Sequence, residues 1–178
     1  MMTEPALLRL NEARRVLLDP YQIDESALQR ALGKVFEHKL DYADVYLQYT
    51  RSEGWSLEEG LVKSGSFDIE QGFGIRAVQG EKTAFAYSDD ISELALLEAA
   101  DTVRSIARAG QGSAKVPADT RRSAARVLYG ATDPLGALDS NAKVALLQKV
   151  DRLARAKDPR VVQVMASLGG EHDVMLVL

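Results

Sequence analysis

The sequence predicts an α+β fold, with a mainly antiparallel sheet covered by helices. Three observations predict it. Strand-like runs crowd into one block, about 42–87, instead of alternating with helices. The spacers between them are one to four residues long, which suits hairpins and not βαβ crossovers. Segments of helical period flank the block on both sides.

Residues 5–18 read as a short amphipathic helix that Asp19-Pro20 stops, because proline disfavours helical geometry in the residue before it. A second helix is expected over about 26–38. Leu28, Ala31, Leu32, Val35 and Phe36 there make one apolar face, with Ser26 and Gln29 at capping-box spacing. The period then falls to two. In Tyr42–Tyr49, Ala43, Val45, Leu47 and Tyr49 alternate with Tyr42, Asp44, Tyr46 and Gln48, which places aromatic residues on both faces of a strand.

Further strands are expected over Gly54–Glu59, Leu61–Glu70, Gly72–Val78 and Lys82–Tyr87, punctuated by Gly60, Gly72 and Gln79-Gly80. A third helix is expected over about 91–108, with Asp90 and Glu93 at capping-box spacing and Leu94, Leu97, Val103 and Ile106 as its apolar side. Residues 110–139 lack periodicity and read as a flexible loop. A fourth helix, about 141–157, has Leu146, Leu147, Val150, Leu153 and Ala154 as its core side. A C-terminal hairpin of Val161–Leu168 and Asp173–Leu178, split by Gly169-Gly170, ends the chain.

At 178 residues the whole chain, 1–178, suits one domain. Its hydrophobic share of 46% and charged share of 27% allow a real core. The net charge of −4 argues against nucleic acid, which needs a clustered positive surface. One stretch runs the other way. Residues 101–130 set Arg104, Arg108, Lys115, Arg121, Arg122 and Arg126 against Asp101 and Asp119. That segment reads as a solvated loop, and a DNA-associated role for it is the weaker alternative. There is no cysteine, so neither disulfides nor thiolate chemistry can operate. The N-terminal stretch is broken by Asn11, Glu12, Arg14 and Arg15, and no run reaches the roughly 18 apolar residues of a membrane span. A cytoplasmic protein is expected. The apolar run Val174–Leu178 at the end of the chain suggests a piece of a larger protein, a buried terminal strand being the other reading.

The search for chemistry returns no catalytic, cofactor-binding or metal-ligating residue. His38 and His172 are the only histidines, and neither is paired at helical ligand spacing. Glu171-His172-Asp173 reads as a polar hairpin turn. Ser140-Asn141-Ala142-Lys143 matches S-x-x-K, but the serine precedes a helix and has a capping role available. Gly72-Phe73-Gly74-Ile75-Arg76-Ala77 fits G-x-G-x-x-A. That fingerprint must open a helix, whereas here the strand continues, so the glycines read as a bulge or a close backbone approach. The carboxylates Glu53, Glu58, Glu59, Asp68, Glu70, Asp89 and Asp90 read as solvated, turn or capping groups, and Trp55 and Tyr87 as aromatics packed on a sheet.

Beside this reading stands a resemblance. Asp41-Tyr42-Ala43-Asp44-Val45-Tyr46 after a helix, Glu53-Gly54-Trp55-Ser56-Leu57-Glu58, and the run from Gln71 to Tyr87 resemble the N-terminal region of TldD-type proteins of the TldD/PmbA family. Asp133-Pro134-Leu135, Arg152-Leu153-Ala154-Arg155 and Val164-Met165-Ala166-Ser167-Leu168 continue it in order, over roughly 20–178. The resemblance implies a zinc metallopeptidase working with a TldE/PmbA-like partner subunit on peptide substrates, and historically a modulator of DNA gyrase. It places the H-E-x-x-x-H zinc helix in a C-terminal part absent from these residues. No position here matches a catalytic or zinc-binding one. Self-association, or a free-standing peptide-binding module, remains the alternative.

Overall fold

Four helices and four strands follow one another along the chain in a computed structural model, which describes residues 4–37, 39–108 and 133–178. The order is α1 (Glu4–Leu17), a 3-10 turn (Asp19–Tyr21), α2 (Glu25–Val35), β1 (Tyr42–Glu58), β2 (Leu61–Gln79), β3 (Lys82–Ser88), α3 (Glu93–Arg108), a 3-10 turn (Leu135–Ala137), α4 (Ser140–Lys157) and β4 (Met165–Val177). The strands form one sheet in the order β3-β2-β1-β4. The fold class is the expected α+β with an antiparallel sheet.

The strands are longer and fewer than their glycines suggest. Tyr42–Tyr49 and Gly54–Glu59, apart from Glu59 itself, belong to the single strand β1, and Leu61–Glu70 and Gly72–Val78 to the single strand β2. Gly54 and Gly72 do not interrupt pairing; among the described glycines, only Gly60 and Gly80 adopt positive φ, at 77° and 59°. Glu59 (φ 52°) and Gly60 form the β1–β2 turn, with the two left-handed central residues of a type I′ hairpin. The C-terminal hairpin is corrected too. Gly169-Gly170 lies inside one continuous strand, β4, which needs no turn because a glycine in extended geometry can remain in a ladder.

The helix ends also shift from expectation. Asp24 caps α2, its Oδ1 accepting from Ala27 N–H at 2.9 Å, and Ser26 instead donates to the same carboxylate. Asp139, not Ser140, caps α4, accepting from Ala142 N–H at 2.7 Å. At α3 the Ser92 hydroxyl accepts from Ala95 N–H at 3.2 Å. At α2 and α4 the replacement is a short side chain one or two residues upstream of the expected cap, and at α3 it lies two residues downstream of Asp90; each reaches the orphan amides of its first turn. His38 and the greater part of the expected 110–139 loop lie outside the described residues, as do Lys115, Asp119, Arg121, Arg122 and Arg126.

The chain divides into two units. The first comprises the described residues among 1–49, 71–131 and 174–178. Its core joins Leu17, Leu18, Leu28, Val35, Val45, Leu47, Ile75, Leu96 and Val103, all at most 2% exposed. Each such side chain contributes about 1.5–3 kcal/mol by leaving water. Helices α2 and α3 pack together. Arg30–Glu93 at 2.7 Å, Lys34–Asp101 and Arg104–Glu37 link their rims. Strand β2 pairs β3 antiparallel from Phe73↔Ser88 to Gln79↔Lys82. Val45 and Leu178 exchange both backbone hydrogen bonds, at 3.0 and 2.9 Å, which makes β1 and β4 antiparallel there.

The second unit comprises the described residues among 50–70 and 132–173. It buries Leu57, Leu135, Leu147 and Val164. Its helix α4 buries Leu147 as expected, but the rest of its inward side differs from the expected one. Lys143, Leu147 and Asp151 are buried, while Leu146, Val150 and Leu153 are 42%, 44% and 61% exposed. The polar residues are held by partners: Lys143 meets Glu53 at 2.5 Å and Leu135 O at 2.8 Å, and Asp151 accepts from Arg155 at 3.2 Å. Lys143, the last residue of the S-x-x-K match, is thus tied into an ion pair.

Candidate functional site: an open aromatic sheet face

In the first unit, alternate residues of each strand point away from the helices. Val45, Leu47, Phe73, Ile75 and Ala77 face the core, so Tyr42, Asp44 and Tyr46 on β1 and Gly74 and Arg76 on β2 lie on the other face. Arg76 pairs with Phe85 and Gly74 with Tyr87 across the ladder, which puts Phe85 and Tyr87 on that face as well. The Val45–Leu178 pair likewise places Val177 beside Tyr46, with Met175 two residues along. The result is an uncovered surface of Phe85 (54% exposed), Tyr87 (79%), Met175 (54%) and Val177 (59%).

Its geometry is ordered. Phe85 and Tyr87 stack with centroids 6.0 Å apart and planes at 24°. The Phe85 ring covers Gly74 so closely that a Cβ there would sit 2.8 Å from it. One charged pair lies within the aromatics. Arg76 Nη2 donates to Asp44 Oδ2 at 2.5 Å, and the Tyr42 hydroxyl donates to the same oxygen at 2.7 Å. The guanidinium also lies 5.5 Å from the Tyr42 ring centroid, within cation–π range. The hydrogen bond to Asp44 raises the Tyr42 hydroxyl above its ordinary pKa, burial adding to it. The same carboxylate raises Arg76. This cluster stabilises a charged pair and offers no free base or nucleophile.

The residues singled out for chemistry are scattered. Gly72, Gly74 and Ala77 stay in β2, and a Cβ on Gly72 would meet Ser88 O at 2.7 Å, the close backbone approach expected of it. Glu171-His172-Asp173 lies in β4, not in a turn. In the second unit His172 Nδ1 is 3.7 Å from Asp133, which also accepts from Leu135 N–H at 2.8 Å and pairs with Arg51. Burial pushes the Asp133 carboxyl up, but the Leu135 amide and the Arg51 charge outweigh it and leave its pKa below the ordinary value. Glu53 meets Lys143, Glu58 accepts from Gln163 at 3.1 Å, and Trp55 lies against Gly65. A cleft of about 280 Å³ in the first unit, lined by Arg14, Leu18, Asp24 and Glu25 among others, has its Arg14–Glu25 pair closed at 2.7 Å. Among the described residues, no group of three or more His, Cys, Asp or Glu side chains could hold a metal ion. The zinc that the resemblance implies therefore has no fitting donor set among them. Nor is any described helix long and apolar enough to cross a membrane.

The open face was half legible in the sequence. The alternation of Tyr42–Tyr49 showed two aromatic-bearing faces, but nothing in the period said that one would lack a cover. Phe85, Met175 and Val177 were missed as surface residues because an apolar strand residue is read as core by default.

Comparison with known proteins gives these features a family. Residues 43–107 match the model of PmbA/TldA metallopeptidase domain 1. The chain is 39% identical over 169 residues to the metalloprotease TldD homolog of Haemophilus influenzae, covering 95% of this chain and 35% of the relative. It is 38% identical over 162 residues to that of Buchnera aphidicola subsp. Schizaphis graminum, covering 91% and 33%. It thus spans about a third of the length of these relatives. Among solved structures, TldE from Thermococcus kodakarensis superposes with a TM-score of 0.57 at 18% identity, over 86% of this chain and 34% of that one. A structure described as a proposed modulator of DNA gyrase from Bacteroides thetaiotaomicron gives 0.55 at 18%, over 86% and 36%. At such identity these two speak for the fold alone. The strand block matched by the domain model and the relatives aligned over nine-tenths of the chain place it in the TldD/PmbA metallopeptidase family, as a first-domain sequence of TldD type.

Proposed function

We infer that the chain is the N-terminal, noncatalytic domain of a TldD-like zinc metallopeptidase. It supplies scaffold and contact surface for subunit or substrate, and the zinc ligands and peptide-cleaving groups belong to a part of the protein outside these residues. The carrying observation is the match to a first domain in a chain about one third as long as its relatives. The scattered and already paired titratable groups described above support it. In this reading the working protein is cytoplasmic, acts on peptides, and assembles with a TldE/PmbA-like subunit or with itself.

A purified 178-residue chain, dialysed and measured by atomic absorption, should hold far less than one equivalent of zinc and should not hydrolyse unfolded peptides. One tightly held equivalent, or peptidase activity abolished by a chelator, would overturn the reading. The second reading, a free-standing peptide-binding or protein-interaction module, is favoured by the exposed aromatic face. A reading frame that stops at Leu178 would select it.

A further inference from the structure

Resting on that first-domain reading, we propose that the open aromatic face of the first unit is an interdomain surface, covered by the polypeptide that continues from Leu178.

Three features point to that occupant. The first is chemistry. Phe85, Tyr87, Met175 and Val177 are each more than half exposed on one sheet face, and clustered apolar exposure of this kind marks a surface awaiting a partner. The central charged pair, Arg76 with Asp44, is neutralised within the face. A buried apolar interface tolerates such a pair. A phosphate backbone would need an uncompensated cation instead.

The second feature is where the chain stands when it reaches residue 178. Leu178 exchanges two hydrogen bonds with Val45, so the last residue is fixed in the sheet of the same unit, next to Val177 on the open face. Polypeptide leaving that point starts at the border of the patch. A tethered occupant needs no separate association, because the link supplies a high effective concentration. The third feature is length: the TldD relatives carry about two thirds of their residues outside the matched part, enough for a domain of the size required.

The test uses the longer gene product, hydrogen peroxide and peptide mass spectrometry, with free N-acetylmethionine in the same tube as the standard. A half-exposed methionine thioether oxidises nearly as fast as the free one, and a covered one does not. Met175 should oxidise about tenfold or more slowly than the standard, equally at low and high protein concentration. In Tyr87→Asp, whose side chain is exposed in this unit, the Met175 rate should return toward that of the standard. Met175 oxidised at the standard's rate in the native longer product would overturn the interface and leave the first-domain reading intact. Protection that grows with protein concentration would overturn it in favour of a second copy. Protection unchanged in Tyr87→Asp would also overturn it, since the patch would then not be the contact. A reading frame that ends at Leu178 would overturn both the interface and the reading on which it rests.

Discussion

Gly72 and Gly74 are two residues apart and look interchangeable in a G-x-G motif, yet they exclude a side chain for different reasons. At Gly74 the obstacle is the end of the exposed Phe85 ring, which can swing aside. At Gly72 it is the carbonyl oxygen of Ser88, fixed in backbone. Neither has positive φ, so backbone conformation is not the issue. Gly72→Ala should therefore cost about 1–3 kcal/mol, as overpacking does, and Gly74→Ala clearly less. Urea unfolding of both variants would check this. A Gly74→Ala cost equal to that of Gly72→Ala would show that Phe85 cannot move, and the cost should then fall in Gly74→Ala with Phe85→Ala. The sequence carried the idea of a close approach, but which atom does the approaching depends on the partner strand, and no local pattern encodes that.

The helices show what periodicity reads well and what it misses. All four lie within about two residues of expectation wherever their bounds are described, apart from the end of α2. The buried side of α4 is another matter. The hydrophobic stripe Leu146, Val150 and Leu153 is exposed, and Lys143 and Asp151 lie inward because each finds a partner there. Apolar periodicity identifies a face able to be buried, and an ion pair from another segment can reverse the choice. Leu147→Ala should accordingly cost about 2–4 kcal/mol, whereas Leu153→Lys should stay within about 0.5 kcal/mol of the parent. Thermal denaturation of the two variants separates them, and a larger cost for Leu153→Lys than for Leu147→Ala would return Leu153 to the core side.

Capping adds a pH signature at α2. Hydrogen bonds from Ser26 and then from Ala27 N–H hold the Asp24 carboxyl below its ordinary pKa of 3.8. A lowered folded pKa means stabilisation that is complete above the unfolded value and lost as pH falls through the folded one. Asp24→Asn keeps an acceptor for the cap but not the charge. The parent should exceed this variant in urea midpoint at pH 7, and the gap should close as pH falls below the ordinary carboxylate value of 3.8. A gap independent of pH would refute the carboxylate's part in it.

At the scale of the whole chain, composition and segment order were enough for the α+β class and the grouped sheet. They were not enough for the strand count, because a glycine in a strand reads as punctuation whether or not the chain turns there. The open face of the first unit lay furthest from view. Its residues are ordinary strand residues, and only the register of β1, β2, β3 and β4 brings Tyr46, Gly74, Phe85, Tyr87 and Val177 together.

The two units also come with unequal optical labels. The single tryptophan, Trp55, lies in the second unit with its ring against Gly65. The described tyrosines, Tyr21, Tyr42, Tyr46, Tyr49 and Tyr87, all lie in the first. Emission excited at wavelengths selective for indole therefore watches one unit alone, and tyrosine absorbance in the near ultraviolet watches mainly the other. The chain carries its own two-channel reporter, by which a loosening of either unit can be followed without any added dye.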